Sequence, residues 1–280
     1  MKFGVIADCQ YADIDGVDYA PERKFRLSPQ KLSEAIEFFN TQELDFIVHL
    51  GDVIDQDMAS FDTILPIFNL SKHEIMHVLG NHDFYVTDAR NPQRNNKEEI
   101  IKLLNMPAPY YAKTYGDYHF IFLDSNEVGT IEPEHGTADY EAGMKLLQKL
   151  EEKGYVNAHD WNGTLSENQM QWLHDELETA KKSDKKVILF AHHGIFPEHR
   201  DNMLEYEKIL SLFTDYKNII AYMNGHNHEG AGGIFNDVPC VTFKAMVDSE
   251  QNAYAVVKLK YNKITISGYS REKNREYTLR

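Results

Sequence analysis

The sequence contains only two cysteines, Cys9 and Cys240, in 280 residues. Two cysteines so far apart form no disulfide framework and indicate a reducing compartment. The chain also lacks any run approaching the roughly 20 apolar residues of a membrane span. Its first residues, "MKFGVIAD", become a short strand before the apolar core of a signal peptide develops. We therefore expect a cytoplasmic protein with no membrane partner.

Positive charge is scarce as well. Lys and Arg number 29 against 44 Asp and Glu, which leaves a formal net charge of −15. Without a basic footprint, nucleic acid and anionic membranes are not expected partners. The length is within the range of a large α/β domain, and 42% hydrophobic residues can fill a substantial core. We expect one domain over residues 1–280, and no obligate protein partner is evident.

Short apolar runs recur, and most of them end in polar residues. They are "FGVIAD" (3–8), "DFIVHLGD" (45–52), "EIMHVLGNHD" (74–83), "HFIFLDS" (119–125), "KVILFAHH" (186–193) and "IIAYMNGHNH" (219–228). Such runs are typical of strands buried on both faces. Helical patterns lie between them, one with Ser28 as N-cap before Pro29 and one with the capping box Ser166 to Gln169. Together they predict an α/β fold.

The C-terminal third has a different pattern. The runs "VPCVTFKAM", "AYAVVKLKY" and "KITISGY" follow one another without a helix, and "YNK" joins the last two. This pattern predicts an antiparallel meander that ends in a hairpin.

Polar residues at the strand ends carry the chemistry, because the carboxyl ends of strands in open α/β sheets form ligand sites. The candidates are Asp8, Gln10, Asp52, Asp55, Asn81, His82, Asp83, His192, His193, Asn224, His226 and His228. A mixed oxygen and imidazole set suits Mn²⁺, Fe or Zn²⁺ better than Ca²⁺. The set is too large for a single closed site, so two divalent transition metal ions are expected.

In their order along the chain, these motifs resemble the calcineurin-like metallophosphoesterases. The motifs are Asp8-x-Gln10, Gly51-Asp52-x-x-Asp55, Gly80-Asn81-His82-Asp83, His192 and Gly225-His226-x-His228. The resemblance implies a β-sandwich flanked by helices, in αββα layers, with a dinuclear site. It implies one metal bound by Asp8, Gln10, Asp52 and His228, and a second bound by Asp52, Asn81, His192 and His226. Asp52 would bridge them, and a hydroxide held by the metals would attack phosphorus.

The resemblance also implies a role for His82 beside the metal ligand Asn81. In the family pattern this histidine stabilises phosphoryl oxygens or protonates the leaving oxygen, and an acid of the preceding motif, here Asp55, orients it. Asp83 is expected to act as a local cap.

Gln10 departs from the histidine that most of the family has at this position. Together with this glutamine, several stretches make the sequence similar to the manganese-dependent ADP-ribose/CDP-alcohol diphosphatases. The stretches are "GVIADCQYAD", "GNHDFY", "WNGTLSENQMQWL", "HHGIFPE" and "GHNHEG". That similarity implies hydrolysis of a nucleotide diphosphate conjugate to a nucleoside monophosphate and a phosphorylated alcohol or sugar. A phosphomonoesterase or cyclic nucleotide phosphodiesterase with the same metals is the alternative. A non-catalytic metal-binding module would have lost ligands or His82, and the sequence has lost neither.

Aromatic and imidazole side chains near the motifs are candidates for substrate binding. They are Tyr11, Phe84, Tyr85, Trp161, His193 and Phe196. A nucleobase stacked on such a ring gains about 1–3 kcal/mol. The alternative for each is ordinary core packing or a structural neighbour.

Overall fold

Strands and helices alternate along the chain, and the computed structural model describes them for residues 1–18, 20–55, 57–84 and 97–280. The strands are β1 (Lys2–Ile6), β2 (Phe46–His49), β3 (Ile75–His77), β4 (Tyr111–Tyr115), β5 (Tyr118–Phe122), β6 (Lys186–Phe190), β7 (Ile219–Asn224), β8 (Ala231–Phe235), β9 (Val238–Thr242), β10 (Ala253–Lys260), β11 (Lys263–Ser270) and β12 (Arg275–Thr278). The helices are α1 (Ser28–Asn40), α2 (Ser60–Phe68), α3 (Lys97–Leu103), α4 (Ala138–Glu152), α5 (Glu167–Lys182) and α6 (Tyr206–Asp215). Within these described ranges, no helix combines the length and apolar character needed to cross a bilayer.

The strands form two six-stranded sheets. The first has the order β12-β11-β10-β1-β2-β3, and the second has the order β4-β5-β6-β7-β9-β8. Strands β1 to β3 are parallel, as are β5, β6, β7 and β9, while the remaining pairs are antiparallel. The carboxyl ends of the parallel strands therefore gather at one edge of each sheet.

Aromatic side chains fill the space between the sheets. Phe3 and Phe46 of the first sheet lie 5.9 and 5.0 Å, between ring centroids, from Phe120 of the second. The outer face of the first sheet packs against α1 and α2, and that of the second packs against α5 and α6. The predicted αββα layers are confirmed.

The predicted meander is only partly correct. Strand β9 belongs to the second sheet, between β7 and β8, and the chain reaches the first sheet only at β10. The meander consists instead of β10, β11 and β12, which pair antiparallel in the order of the chain. The "YNK" hairpin is confirmed, because Tyr261 and Asn262 both have the positive φ (50° and 61°) of a two-residue turn.

The two predicted helix starts have different outcomes. Ser28 is the first residue of α1 rather than its N-cap, because a 3₁₀ turn (Phe25–Leu27) runs directly into the helix. Ser166 does cap α5, accepting a hydrogen bond from the Gln169 N–H at 3.1 Å. The Gln169 side chain bonds Asp124 and Glu127 instead of returning to Ser166.

We expect Phe120→Ala to destabilise the fold by about 3–5 kcal/mol, because it opens a cavity where the sheets meet. Urea unfolding measures the loss. Leu70→Ala is the control, since Leu70 is 64% exposed and surface changes usually stay within about 0.5 kcal/mol. Equal losses in the two variants would contradict this account of the core.

Candidate active site

The loops that follow the parallel strands have an unusual backbone. Asp8, Gln10, Asp52 and His226 have φ of 51°, 48°, 58° and 64°, in the left-handed region. Two main-chain bonds tie the first two loops together, from Asp8 N–H to Gly51 O at 3.2 Å and from Gln10 N–H to Asp52 O at 2.7 Å. Such conformations persist only where surrounding contacts hold them, and they cluster at functional sites.

These loops bring two groups of potential metal ligands together. Asp52, His192 and His226 form one, and Asp8, Asp52 and His228 form the other, with the ligand atoms of each group within 4.8 Å of one another. Asp52 is common to both groups. The two sheets contribute jointly, because Asp8 and Asp52 follow strands of the first sheet while the histidines follow β6 and β7.

The amide side chains complete the arrangement. Asn81 Oδ1 lies 3.0 Å from His192 Nε2, which itself lies 3.4 Å from Asp52 Oδ2. Gln10 Oε1 is shielded from solvent and accepts no hydrogen bond from residues 1–18, 20–55, 57–84 and 97–280. An uncompensated buried amide oxygen is costly, and a cation in the space beside Asp52 would remove that cost.

Each histidine has its second ring nitrogen engaged with an acceptor. His192 Nδ1 donates to Leu50 O at 2.8 Å, His226 Nε2 to Asn162 Oδ1 at 3.0 Å, and His228 Nδ1 to Asp248 Oδ1 at 2.9 Å. With those protons assigned, His192 Nε2, His226 Nδ1 and His228 Nε2 keep lone pairs, and these are the atoms that approach Asp8 and Asp52. Outer partners of this kind orient metal-binding imidazoles.

The pKa values of the buried side chains show that the centre favours positive charge. Burial alone would lower the pKa of His192, but the carboxylates of Asp52 and Asp8 outweigh burial and raise it to about 9. Burial raises the pKa of Asp8 to about 6. A divalent cation bound here would replace the second proton of His192, because an imidazole binds a metal through the lone pair of its neutral form. The donor set, the lone pairs and the unpartnered Gln10 oxygen all fit divalent cations.

Residues of the Gly80-Asn81-His82-Asp83 loop have separate tasks. His82 Nδ1 lies 2.8 Å from Asp55 Oδ1, and the Asp55 side chain is fully buried. The carboxylate of Asp83 accepts main-chain N–H groups of Gly80, Asp52, Val53 and Ile54 at 2.8–3.3 Å. Asp83 is thus the expected cap, and it fastens this loop to the loop of Asp52.

A cavity of about 690 Å³ opens over the centre. Asp52, Asn81, His82, His226 and His228 form its floor. Its walls include Arg23, Trp161 and Arg200, with Glu22 and Glu229 also lining it. Trp161 is stacked on His159 with 4.2 Å between ring centroids, and the Arg200 guanidinium lies 4.8 Å from its ring.

The other predicted substrate contacts lie elsewhere. Phe84 packs against the helices of the first sheet, and Phe196 packs on Phe235 with 5.6 Å between ring centroids. Tyr11 lines a neighbouring cavity of about 430 Å³ together with Asp55. His193 is buried behind the floor, where its Nδ1 lies 2.7 Å from Ser125 Oγ. Tyr85 lies outside the described residues.

Sequence reasoning missed the residues that orient the histidines. Asn162 lies in the long connection 127–165, and its Nδ2 donates to Asn157 O and Arg200 O, which fixes its oxygen toward His226. Asp248 lies between β9 and β10, beyond the last recognised motif. Both residues lie in stretches that are part of the subfamily similarity, "WNG" for Asn162 and "VTFKAMVDSEQNAYAVVKL" for Asp248, but neither was singled out as a site residue.

A sequence model of one family, calcineurin-like phosphoesterase, matches residues 1–230. The chain belongs to the calcineurin-like phosphoesterase family. The family assignment makes it a hydrolase of phosphate esters. It is 28% identical to a mouse (Mus musculus) protein named manganese-dependent ADP-ribose/CDP-alcohol diphosphatase, over 98% of this chain and 92% of that one. A human (Homo sapiens) protein of the same name is 26% identical, over 98% and 92%.

The fold is also that of a known structure. A dimetal phosphatase from Danio rerio has a TM-score of 0.85 to this chain at 22% identity, covering 100% of this chain and 99% of that one. At this level of identity the likeness establishes the fold.

Gly80→Ala should lower the activity of this phosphoesterase at least about 100-fold, the scale of a misplacement near 1 Å. A Cβ at Gly80 would collide with Oδ1 and the main-chain nitrogen of Asp52. Hydrolysis of bis(4-nitrophenyl) phosphate with added Mn²⁺ measures the effect.

Gly154→Ala is the matched control, because Gly154 has φ +74° and open space around it. It costs about 1 kcal/mol of stability and should leave the activity unchanged. Retained activity in Gly80→Ala would show that the approach of Gly80 to Asp52 is unimportant.

Proposed function

We propose that this phosphoesterase hydrolyses the phosphoanhydride of a nucleotide diphosphate conjugate of the ADP-ribose or CDP-alcohol type. The products are a nucleoside monophosphate and a phosphorylated sugar or alcohol. The observation that carries the proposal is the pair of ligand groups sharing Asp52 at the floor of an open cavity. The names of the mouse and human relatives, which align over almost the whole chain, support the substrate class.

We assign the ligands in two sets that share Asp52. Asp8, Gln10, Asp52 and His228 would hold one ion, and Asp52, Asn81, His192 and His226 the other. Carboxylate and amide oxygens favour Mn²⁺, while Fe and Zn²⁺ suit the imidazoles. When bound, such ions supply Lewis-acid stabilisation of the phosphoryl oxygens and an activated water.

His82 is the proposed acid. Its Nδ1 is held by the buried carboxylate of Asp55 at 2.8 Å, and its ring lines the cavity. With Nδ1 so engaged, Nε2 is the atom that would donate a proton or hydrogen bond to the leaving oxygen. The main-chain N–H of His82 donates to Asp52 Oδ1 at 2.9 Å, which fixes the loop relative to the metal ligands.

Arg23 supports a substrate with a second phosphate. Its Nε and Nη1 are shielded from solvent and have no hydrogen-bond partner among the residues that the structure describes, and the residue lines the cavity. A guanidinium with free donors beside the metal ligands suits a distal phosphate. Arg200 and Trp161 on the same walls provide a cation and a ring for the remainder of the nucleotide.

The cellular setting belongs to the proposal too. Cys9 and Cys240 are both free and buried, which supports a reducing compartment and hence a cytoplasmic location. The substrate is a small molecule, and we expect neither nucleic acid, membrane nor obligate protein partner to take part. We also propose a single domain over residues 1–280.

Two variants should separate metal binding from chemistry. Asp52→Asn is expected to lose at least one ion together with activity, because its carboxylate is common to both ligand groups. His82→Ala is expected to keep both ions and lose about 10²–10⁴ in kcat. Elemental analysis and steady-state kinetics measure the two effects. A fully active Asp52→Asn would refute the dinuclear site, and wild-type kcat in His82→Ala would leave His82 with no role in proton transfer.

Substrate preference is tested by kcat/KM on ADP-ribose, CDP-choline, a cyclic nucleotide and an aryl phosphate, each with Mn²⁺. We expect a diphosphate conjugate to be hydrolysed fastest, with AMP or CMP as product, because Arg23 can contact a second phosphate. If the aryl monoester or the cyclic nucleotide is preferred by more than tenfold, the diphosphatase proposal fails and the metal assignment stands.

A further inference from the structure

The side chain of Lys31, in α1, is buried against a segment that connects the two sheets. Its Nζ contacts four consecutive main-chain carbonyl oxygens, and the side chain is only 3% exposed. The oxygens are those of Met246 at 2.8 Å, Val247 at 3.2 Å, Asp248 at 3.3 Å and Ser249 at 2.5 Å. An ammonium group donates three hydrogen bonds, so the four oxygens share its protons and its charge.

The segment 246–249 reaches the proposed first metal site at two places. Met246 N–H donates to Ala7 O at 2.8 Å, and Val247 N–H donates to Asp8 O at 3.0 Å. The Asp248 side chain accepts from His228 Nδ1 at 2.9 Å. The segment therefore contacts both the main chain of Asp8 and the ring of His228.

Lys31 Nζ brings four carbonyl oxygens close to one cation. These oxygens carry partial negative charge and repel one another, and the ammonium charge offsets that repulsion in a buried place where no solvent would screen it. Burial, followed by the charge of Arg271, lowers the pKa of Lys31 to about 8, so the side chain remains protonated at neutral pH. Main-chain hydrogen bonds from Lys24 N–H to Val247 O at 2.9 Å and from Ser249 N–H to Glu22 O at 2.7 Å also hold the segment. Loss of the Lys31 charge would therefore shift the carbonyls and the side chain of Asp248 without releasing the segment.

We propose that Lys31 is a positioning residue for the first metal site, acting through Asp248 to hold His228 with Nε2 toward Asp8. This inference rests on the ligand sets proposed above. Lys31 is about one helical turn beyond the end of the 3₁₀ segment Phe25–Leu27, and no contact with the cavity is needed for its effect.

A second basic side chain provides the control. Arg280 also donates to four main-chain oxygens, those of Phe213, Tyr216, Ile219 and Asn236, at 2.8–3.0 Å. These oxygens lie at the opposite end of β7 from His226. Arg280→Met therefore removes a comparable cluster of bonds without touching the segment 246–249.

The experiment is a Mn²⁺ titration of the metal-free full chain by calorimetry, with free Mn²⁺ followed by electron paramagnetic resonance. The variants are Lys31→Met, Asp248→Ala, their combination and Arg280→Met. We expect Lys31→Met to weaken the Asp248-dependent site about 10–100-fold, the usual effect of an outer partner. The other site should change less than threefold, and Arg280→Met should leave both sites unchanged. In the Asp248→Ala background, Lys31→Met should add less than twofold, because both act on one contact.

Equal weakening of both sites, or effects that multiply in the double variant, would overturn the inference, since Lys31 would then act only through general stability. If Lys31→Met does not fold, Lys31→Gln is judged by the same criteria. Wild type that binds fewer than two ions would refute the dinuclear proposal itself. The inference about Lys31 is decided separately. It depends on the ratio of the Mn²⁺ affinities of wild type and Lys31→Met at the site that Asp248→Ala weakens.

Discussion

The rest of the structure depends on one constraint, the mutual repulsion of the metal-ligand donor groups that lie where the two sheets meet. Asp8 and Asp52 place two carboxylates among three imidazoles, with ligand atoms within 4.8 Å in each group. Main-chain N–H groups of His82 and His226 offset part of that charge. The left-handed residues of the loops and the outer acceptors of the histidines hold the donor groups close together against their repulsion, which divalent cations at the centre would neutralise.

Local patterns were sufficient to predict an α/β fold and the identity of the clustered side chains, whereas the αββα layers were implied by the family resemblance. A buried parallel strand reads as an apolar run, and the polar residue at its end is next in the chain. Strand β9 shows the limit. Its pattern is that of any buried strand, and only tertiary pairing decides that it joins β7 and β8 instead of β10.

Residues that orient the site were beyond sequence reasoning for a different reason. Asn162, Asp248 and Lys31 acquire their roles only through partners 64, 20 and 215 or more residues away. A lysine on a helix and an asparagine in a connection match countless solvent-exposed residues. The aromatic candidates show the converse problem. Phe84 and Phe196 pack against other apolar side chains, and from sequence alone a packed aromatic ring cannot be told from one that binds a nucleobase.

The two sheets supply ligands to one centre, which has a topological consequence for a protein without disulfides. Asp8 and His226 are 218 positions apart, and the main-chain N–H of His226 already donates a hydrogen bond to Asp8 Oδ1. An ion held between their strands would act as a reversible cross-link that closes a loop of most of the chain, and closing long loops removes the most entropy from the unfolded ensemble. Bound metal would then cross-link the two sheets of the sandwich, as disulfide bonds often do in secreted proteins.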